Sequence, residues 1–127
     1  MNEPQWLTLE QVKRIHSEQL VRHGGPSGLR DAGLLESALA RPINKFQYGE
    51  TNLAVLAAAY AYGLARNHPF VDGNKRIAFM ATVTFLAKNG YAFEPDLADA
   101  TRTFFELAAG VVTEPELSAW IARNSPA

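Results

Sequence analysis

One run of this chain crowds together groups that could do chemistry: His68, Pro69, Phe70, Val71, Asp72, Gly73, Asn74, Lys75 and Arg76. A base, a carboxylate, an amide and two cations crowd together there between two apolar stretches, which is the composition of a phosphate-handling site. Ile77 to Leu86 is almost wholly apolar, so a helix is expected to begin near Gly73 or Asn74. The first N–H groups of such a helix have no partner within it and carry the positive end of its dipole, so they point at a bound anion. Asn74 can donate its amide to a phosphate oxygen, Arg76 offers a planar fork of donors, and Lys75 adds a mobile point charge. Asp72 is the only acid in the run. It suits Mg²⁺, which takes one or two carboxylates and completes its shell with water and phosphate oxygens. His68 faces the same space and can take a proton from an attacking hydroxyl near neutral pH. Phe70 is the expected peg that seats the loop in the core.

Each feature also has a plainer structural reading. A histidine before proline is usually a loop residue, Asp-Gly-Asn is most often a turn, and Lys-Arg is often a solvated pair. Their conjunction ahead of an apolar helix favours the site.

At these residues the sequence resembles the Fic/Doc family, whose signature is filled here by His68, Phe70, Asp72, Asn74 and Arg76. The resemblance runs from about Leu7 to Phe93. Gly28-Leu29-Arg30-Asp31-Ala32-Gly33-Leu34-Leu35-Glu36-Ser37-Ala38-Leu39-Ala40-Arg41-Pro42 is similar to the upstream segment of the Doc (death-on-curing) toxin branch, and Phe85-Leu86-Ala87-Lys88-Asn89-Gly90 to its downstream helix end. Fic adenylyltransferases typically have glycine where Lys75 stands and a second arginine where Phe79 stands. Both departures are those of the Doc branch.

The resemblance implies a type II toxin with ATP and Mg²⁺, acting as a protein kinase on a Ser/Thr hydroxyl of a translation factor such as elongation factor Tu. It implies His68 as base, Asp72 as Mg²⁺ ligand, Gly73 and Asn74 as the phosphate cradle, and Lys75 and Arg76 as charge stabilisers. The γ-phosphate, not the α-phosphate, would meet the hydroxyl, with positioning and charge neutralisation supplying most of the catalysis. Protein adenylyl transfer is the alternative within the class; a non-catalytic nucleotide- or partner-binding module is the alternative outside it. Many Fic proteins silence themselves with Ser or Thr followed four residues later by Glu, and no glutamate here has that spacing. Restraint would then fall to a separate Phd-like antitoxin laying a helical segment into a groove.

The elements that must position this run are helical. Thr8 with Gln11 predicts a capped first helix carrying Leu9, Val12, Ile15 and Leu20, stopped by Gly24 and Gly25. On it His16 and His23 are roughly 10 Å apart, too far to share a metal, and read as ordinary helix residues. Asp31 caps a second helix expected to reach Ala40 and stop at Pro42. Arg41 to Glu50 reads as loop, with Phe46 and Tyr48 as anchors. By resemblance, Lys45 to Gly49 is a candidate docking edge for the target protein.

Thr51 or Asn52 caps a third helix to about Arg66, apolar on every face and therefore buried. With the helix from Asn74 to Asn89 it makes a central hairpin bearing the run at its tip. Tyr91 to Glu94 reads as a short extended piece. Asp96 or Asp99 starts a fifth helix with Phe104, Phe105 and Leu107 as apolar contacts, and Thr113, Pro115 and Glu116 start a last one. The expected fold is all-α: a compact Fic/Doc-like bundle of about six helices around that hairpin, one domain over 1–127.

Composition bounds the rest. The 127 residues are 47% hydrophobic and 20% charged with a net charge of -1, which suggests neither nucleic-acid nor membrane binding. Cysteine is absent, so thiol chemistry is excluded and a cytoplasmic setting is expected. The opening Met1 to Gln5 is unlike a signal peptide, and the apolar stretch Leu53 to Ala65 falls short of the ~20 residues that cross a bilayer.

Overall fold

The computed structural model describes residues 3–126; Met1 and Asn2, which open the stretch read as free of a leader, and Ala127 lie outside the described residues. Six helices follow one another: α1 (Leu9–His23), α2 (Ala32–Gln47), α3 (Leu53–Asn67), α4 (Asn74–Lys88), α5 (Leu97–Ala108) and α6 (Glu114–Arg123). Among the described residues there is no strand, only an isolated antiparallel bridge between Leu29 and Phe70. The all-α expectation holds.

The Ala-rich helix α3 explains the arrangement. Without a polar face it has no side to turn to water, and α2, α4, α5 and α6 cover it while α1 packs on α4. Leu56, Tyr60, Leu64 and the alanines between them are buried against Leu35 and Ala38 of α2, Ile77 and Phe85 of α4, Phe104 of α5, and Leu117 and Ile121 of α6. Small residues let the axes close up. A Cβ added at Gly63 would lie 3.0 Å from Ala38 Cα, so α2 and α3 pass almost backbone to backbone.

Tyr60 is the largest polar side chain in this core. Its hydroxyl accepts from Leu7 N at 3.0 Å, which ties the segment before α1 to α3. Asn89, at the end of α4, ties the same segment by exchanging two hydrogen bonds with the Gln5 backbone.

Several local expectations are corrected. Pro42 does not stop α2, which runs on to Gln47. A proline inside a helix loses one bond and crowds the preceding turn, at roughly 3 kcal/mol. Here its ring is buried, and the turns beyond it are fastened by Phe46 against Trp6, at 5.7 Å between ring centres, and by Tyr48 N bonding Asn44 O. Burial overrides propensity. The stretch Arg41 to Glu50 is therefore mostly helix, and Tyr48, at 93% exposed, anchors nothing.

Tyr91 to Glu94 is irregular, held by Glu94 N donating to Asn124 O at 2.8 Å. Phe105 is 62% exposed and faces outward, unlike Phe104 and Leu107. No helix among the described residues is long and apolar enough to cross a membrane.

Candidate active site

Helices α3 and α4 pack as a hairpin, and residues 68–73 form its tip. At the end of α3, His68 adopts φ 49° and ψ 56°, the only non-glycine residue among those described with positive φ. A side chain held there costs on the order of 1–3 kcal/mol, so the surroundings must impose it. Arg30 does so from the loop before α2: its Nε donates to His68 O at 2.6 Å and its terminal nitrogen to Asn67 O at 2.7 Å. What the fold grips is the histidine's carbonyl; the residue itself stays exposed.

The rest of the loop is stitched just as closely. Arg30 N and Asp31 N both donate to Pro69 O, and Val71 N donates to Gly28 O. Phe70 is buried, as expected of a peg, and lies flat on His16 of α1, with ring centres 3.7 Å apart and planes 12° apart. His16 Nε2 lies 2.7 Å from Asp72 O. A carbonyl only accepts, so this nitrogen carries the proton.

Asn74 has an observed task different from the one its chemistry suggested. Its Oδ1 accepts from Phe70 N at 3.0 Å and its Nδ2 donates to Phe70 O at 2.9 Å, from a position 7% exposed. The amide closes the loop on itself, and one of its two N–H donors is spent doing so.

What remains open is the start of α4. Gly73 precedes it at φ 80°, with no side-chain cap, and the first ladder bond is Ile77 N to Gly73 O. The N–H groups of Asn74, Lys75 and Arg76 therefore have no intrahelical acceptor. Glycine is required twice here. At Gly73 the positive φ leaves room that a Cβ would take 3.4 Å from His16 Nε2, and at Gly25 a Cβ would collide with the Asp72 carboxylate.

Asp72, Lys75 and Arg76 are exposed, and among the described residues none of them is in an ion pair. Lys75 Nζ stands 5.5 Å above the Phe105 ring. Both cations line a groove of about 520 Å³ whose walls include Phe79 and Met80 of α4 and Leu97, Phe104 and Phe105 of α5. Among the described residues no three acidic, histidine or cysteine groups cluster as a metal site. A lone carboxylate beside a phosphate cradle still suits Mg²⁺, which is commonly held by one carboxylate, water and the phosphates themselves.

The tip and the first turn of α4 thus carry all six expected residues: His68, Asp72, Gly73, Asn74, Lys75 and Arg76. Sequence reasoning missed the two that brace it, His16 and Arg30. For His16 a signal existed: Val12, His16 and Leu20 recur every four residues and are all buried, so His16 shares the inward face of α1. For Arg30 no local signal existed.

The chain is similar to known proteins. The model of the Fic/DOC family matches residues 6–86, which takes in α1 to α4 almost to its end and leaves out α5 and α6. A protein kinase doc from Escherichia phage P1 is 36% identical over 95 residues, 72% of this chain and 75% of that protein. A toxin Doc from Mycolicibacterium smegmatis is 46% identical over 79 residues, 60% of this chain; the chain spans only 60% of that relative's length.

Proposed function

The chain belongs to the Fic/DOC family, and on that premise we propose that it is a Doc-type toxin that phosphorylates a Ser or Thr hydroxyl of a host protein with ATP. The observation that carries the proposal is the uncapped start of α4, with Lys75 and Arg76 in its first turn and His68 held six residues before it. Phosphoryl transfer needs positioned charge more than covalent chemistry. The free N–H groups from Asn74 to Arg76 and the remaining amide hydrogen of Asn74 would cradle the β- and γ-phosphates. Lys75 and Arg76 would balance the charge that builds on them. Mg²⁺ held by Asp72 would neutralise the phosphate oxygens further.

His68 would take the proton from the incoming hydroxyl as its oxygen bonds to the γ-phosphorus. The bond from that phosphorus to the bridging oxygen breaks, and ADP leaves. The relative from phage P1 is named a protein kinase, which supports phosphoryl over adenylyl transfer. A translation factor of the elongation factor Tu kind is the proposed target, and arrest of translation in the cytoplasm the outcome.

The groove beside the cations suits an antitoxin's amphipathic helix, its apolar face on Phe79, Met80 and Phe104 and an acidic residue toward Lys75 and Arg76. Gel filtration of the protein co-expressed with a Phd-like antitoxin would show one complex; free monomer alone would sink this part.

Parallel incubations of the protein and a cell lysate with α-labelled and γ-labelled ATP test the reaction itself. The kinase reading expects label in protein from the γ position only. Label from the α position alone would establish adenylyl transfer instead. Toxicity that survives His68→Ala would leave only a binding module.

A further inference from the structure

We infer that Arg30 is a positioning residue for the reaction: its guanidinium holds the His68 backbone in the left-handed conformation that aims the imidazole. This rests on the proposed role of His68 as base. Three observations carry it. The first is that His68 is the one non-glycine residue of positive φ among those described, so its direction is imposed rather than intrinsic.

The second is the form of the clamp. Arg30 donates through Nε and a terminal nitrogen to two successive carbonyls, those of His68 and Asn67, at the end of α3. The last carbonyls of a helix have no acceptor role within it and gather its negative charge, so a planar cation spanning two of them satisfies both needs at once. A lysine has three donors but no rigid fork, so it would hold the two less firmly.

The third is that Arg30 is itself held in place. Its own N–H and that of Asp31 bond Pro69 O, and Asp31 caps α2 by accepting from Leu34 N at 2.9 Å. The guanidinium thus hangs from a segment fixed to both α2 and the loop. It refers the histidine's aim to a rigid part of the fold, although Arg30 itself is exposed. Misplacing a reacting group by an ångström can cost about a hundredfold in rate, so the clamp should matter far more to turnover than to folding.

The test compares Arg30→Ala, Arg30→Lys and Asn67→Ala. Asn67→Ala is the matched control: it removes a bond at the same corner, Asn67 Nδ2 to Leu34 O, and leaves both clamped carbonyls in place. Label transfer from γ-labelled ATP, nucleotide binding and the backbone chemical shifts of residues 67–71 are read for each. Arg30→Ala is expected to lower kcat by about 30- to 100-fold with KM for ATP within about twofold, and to move the His68 shifts out of the left-handed range. Arg30→Lys should fall between, and Asn67→Ala should keep both turnover and shifts.

Unchanged His68 shifts in Arg30→Ala, turnover within about twofold of wild type, or an equal loss in Asn67→Ala would each overturn the inference. Wild-type protein that transfers no label would instead defeat the kinase reading, and the positioning role with it; the shifts would still decide whether Arg30 holds the backbone.

Discussion

Helices α4 and α6 begin in opposite ways. At α6, Thr113 accepts from Glu116 N and the Glu116 side chain accepts from Thr113 N, so the exposed donors at that end are paired reciprocally. The starts of α1, α2, α3 and α5 are likewise met by the side chains of Thr8, Asp31, Asn52 and Asp96. At α4 the preceding residue is Gly73, nothing caps, and the first turn carries two cations and no acid. Paired ends are how this fold stays folded; the unpaired one is where it can bind an anion. The same division holds within the hairpin tip. Every carbonyl from Asn67 to Phe70 and that of Asp72 is engaged, whereas the first donors of α4 are left free.

The largest effect that would break this comparison is on turnover. Replacing His68 with alanine removes the proposed base and leaves the anion site intact. Label transfer should fall by about 10²–10⁴-fold while nucleotide binding, read by calorimetry, stays near wild type. If binding were lost along with transfer, the tip and the helix start would not be separable.

Next in size is an effect in the closed core. The Tyr60 phenol is pushed up from 10.0 to about 12, chiefly because burial disfavours its ionised form, with the bond from Leu7 N pulling the other way. A raised acid of this kind contributes stability in full below pH 10. The contribution is lost as the pH rises from 10 through 12. The loss should be about 2–3 kcal/mol, and Tyr60→Phe should flatten it while lowering stability at pH 7, where Leu7 N loses its acceptor. Denaturant melts at pH 8, 10 and 11.5 check both.

A smaller effect comes from closing the open end. Gly73→Asp puts a carboxylate where the fold has none, and it should weaken ATP binding about tenfold or more beyond Gly73→Asn. The asparagine variant has nearly the same shape, the same tolerance of φ 80° and the same approach to His16, so the difference between the two isolates the charge. Equal affinities would mean that the start of α4 does not face the phosphates.

These contrasts also mark what could be read from the sequence. Both capping boxes were legible because a cap and its partner lie three residues apart, within reach of any fold that forms the helix. The active run was legible because its groups are contiguous. Pro42 misled because the rule against it is local, while its ring is buried by distant residues. The use of Asn74 could not be seen, since its partner is the backbone of Phe70 and exists only once the loop has closed. Likewise His16 reaches Asp72 across 56 residues and Arg30 reaches His68 across 38, and no pattern within a helix turn records such pairings.

The smallest effects belong to α6. Thr113→Ala removes the side chain that accepts from Glu116 N and should cost about 1 kcal/mol in a denaturant melt, with label transfer unchanged. Glu116→Gln should do less still. The Glu116 carboxyl is held below its usual range, first by the bond from Thr113 N and then by the Thr113 hydroxyl. A depressed acid contributes stability above its unfolded value and loses it as the pH falls through the folded one. Glutamine keeps an acceptor at the same place, as Gln11 does in the capping box of α1. At pH 7 the Tm of Glu116→Gln should therefore fall only slightly below wild type, by the share that the charge adds to the bond. Below pH 4 the wild type should lose ground that the variant does not, because only the wild type has a proton to take up there. A clear loss in the variant at pH 7 would mean that the charge itself, set against the helix dipole, and not the reciprocal pair of bonds, closes this end.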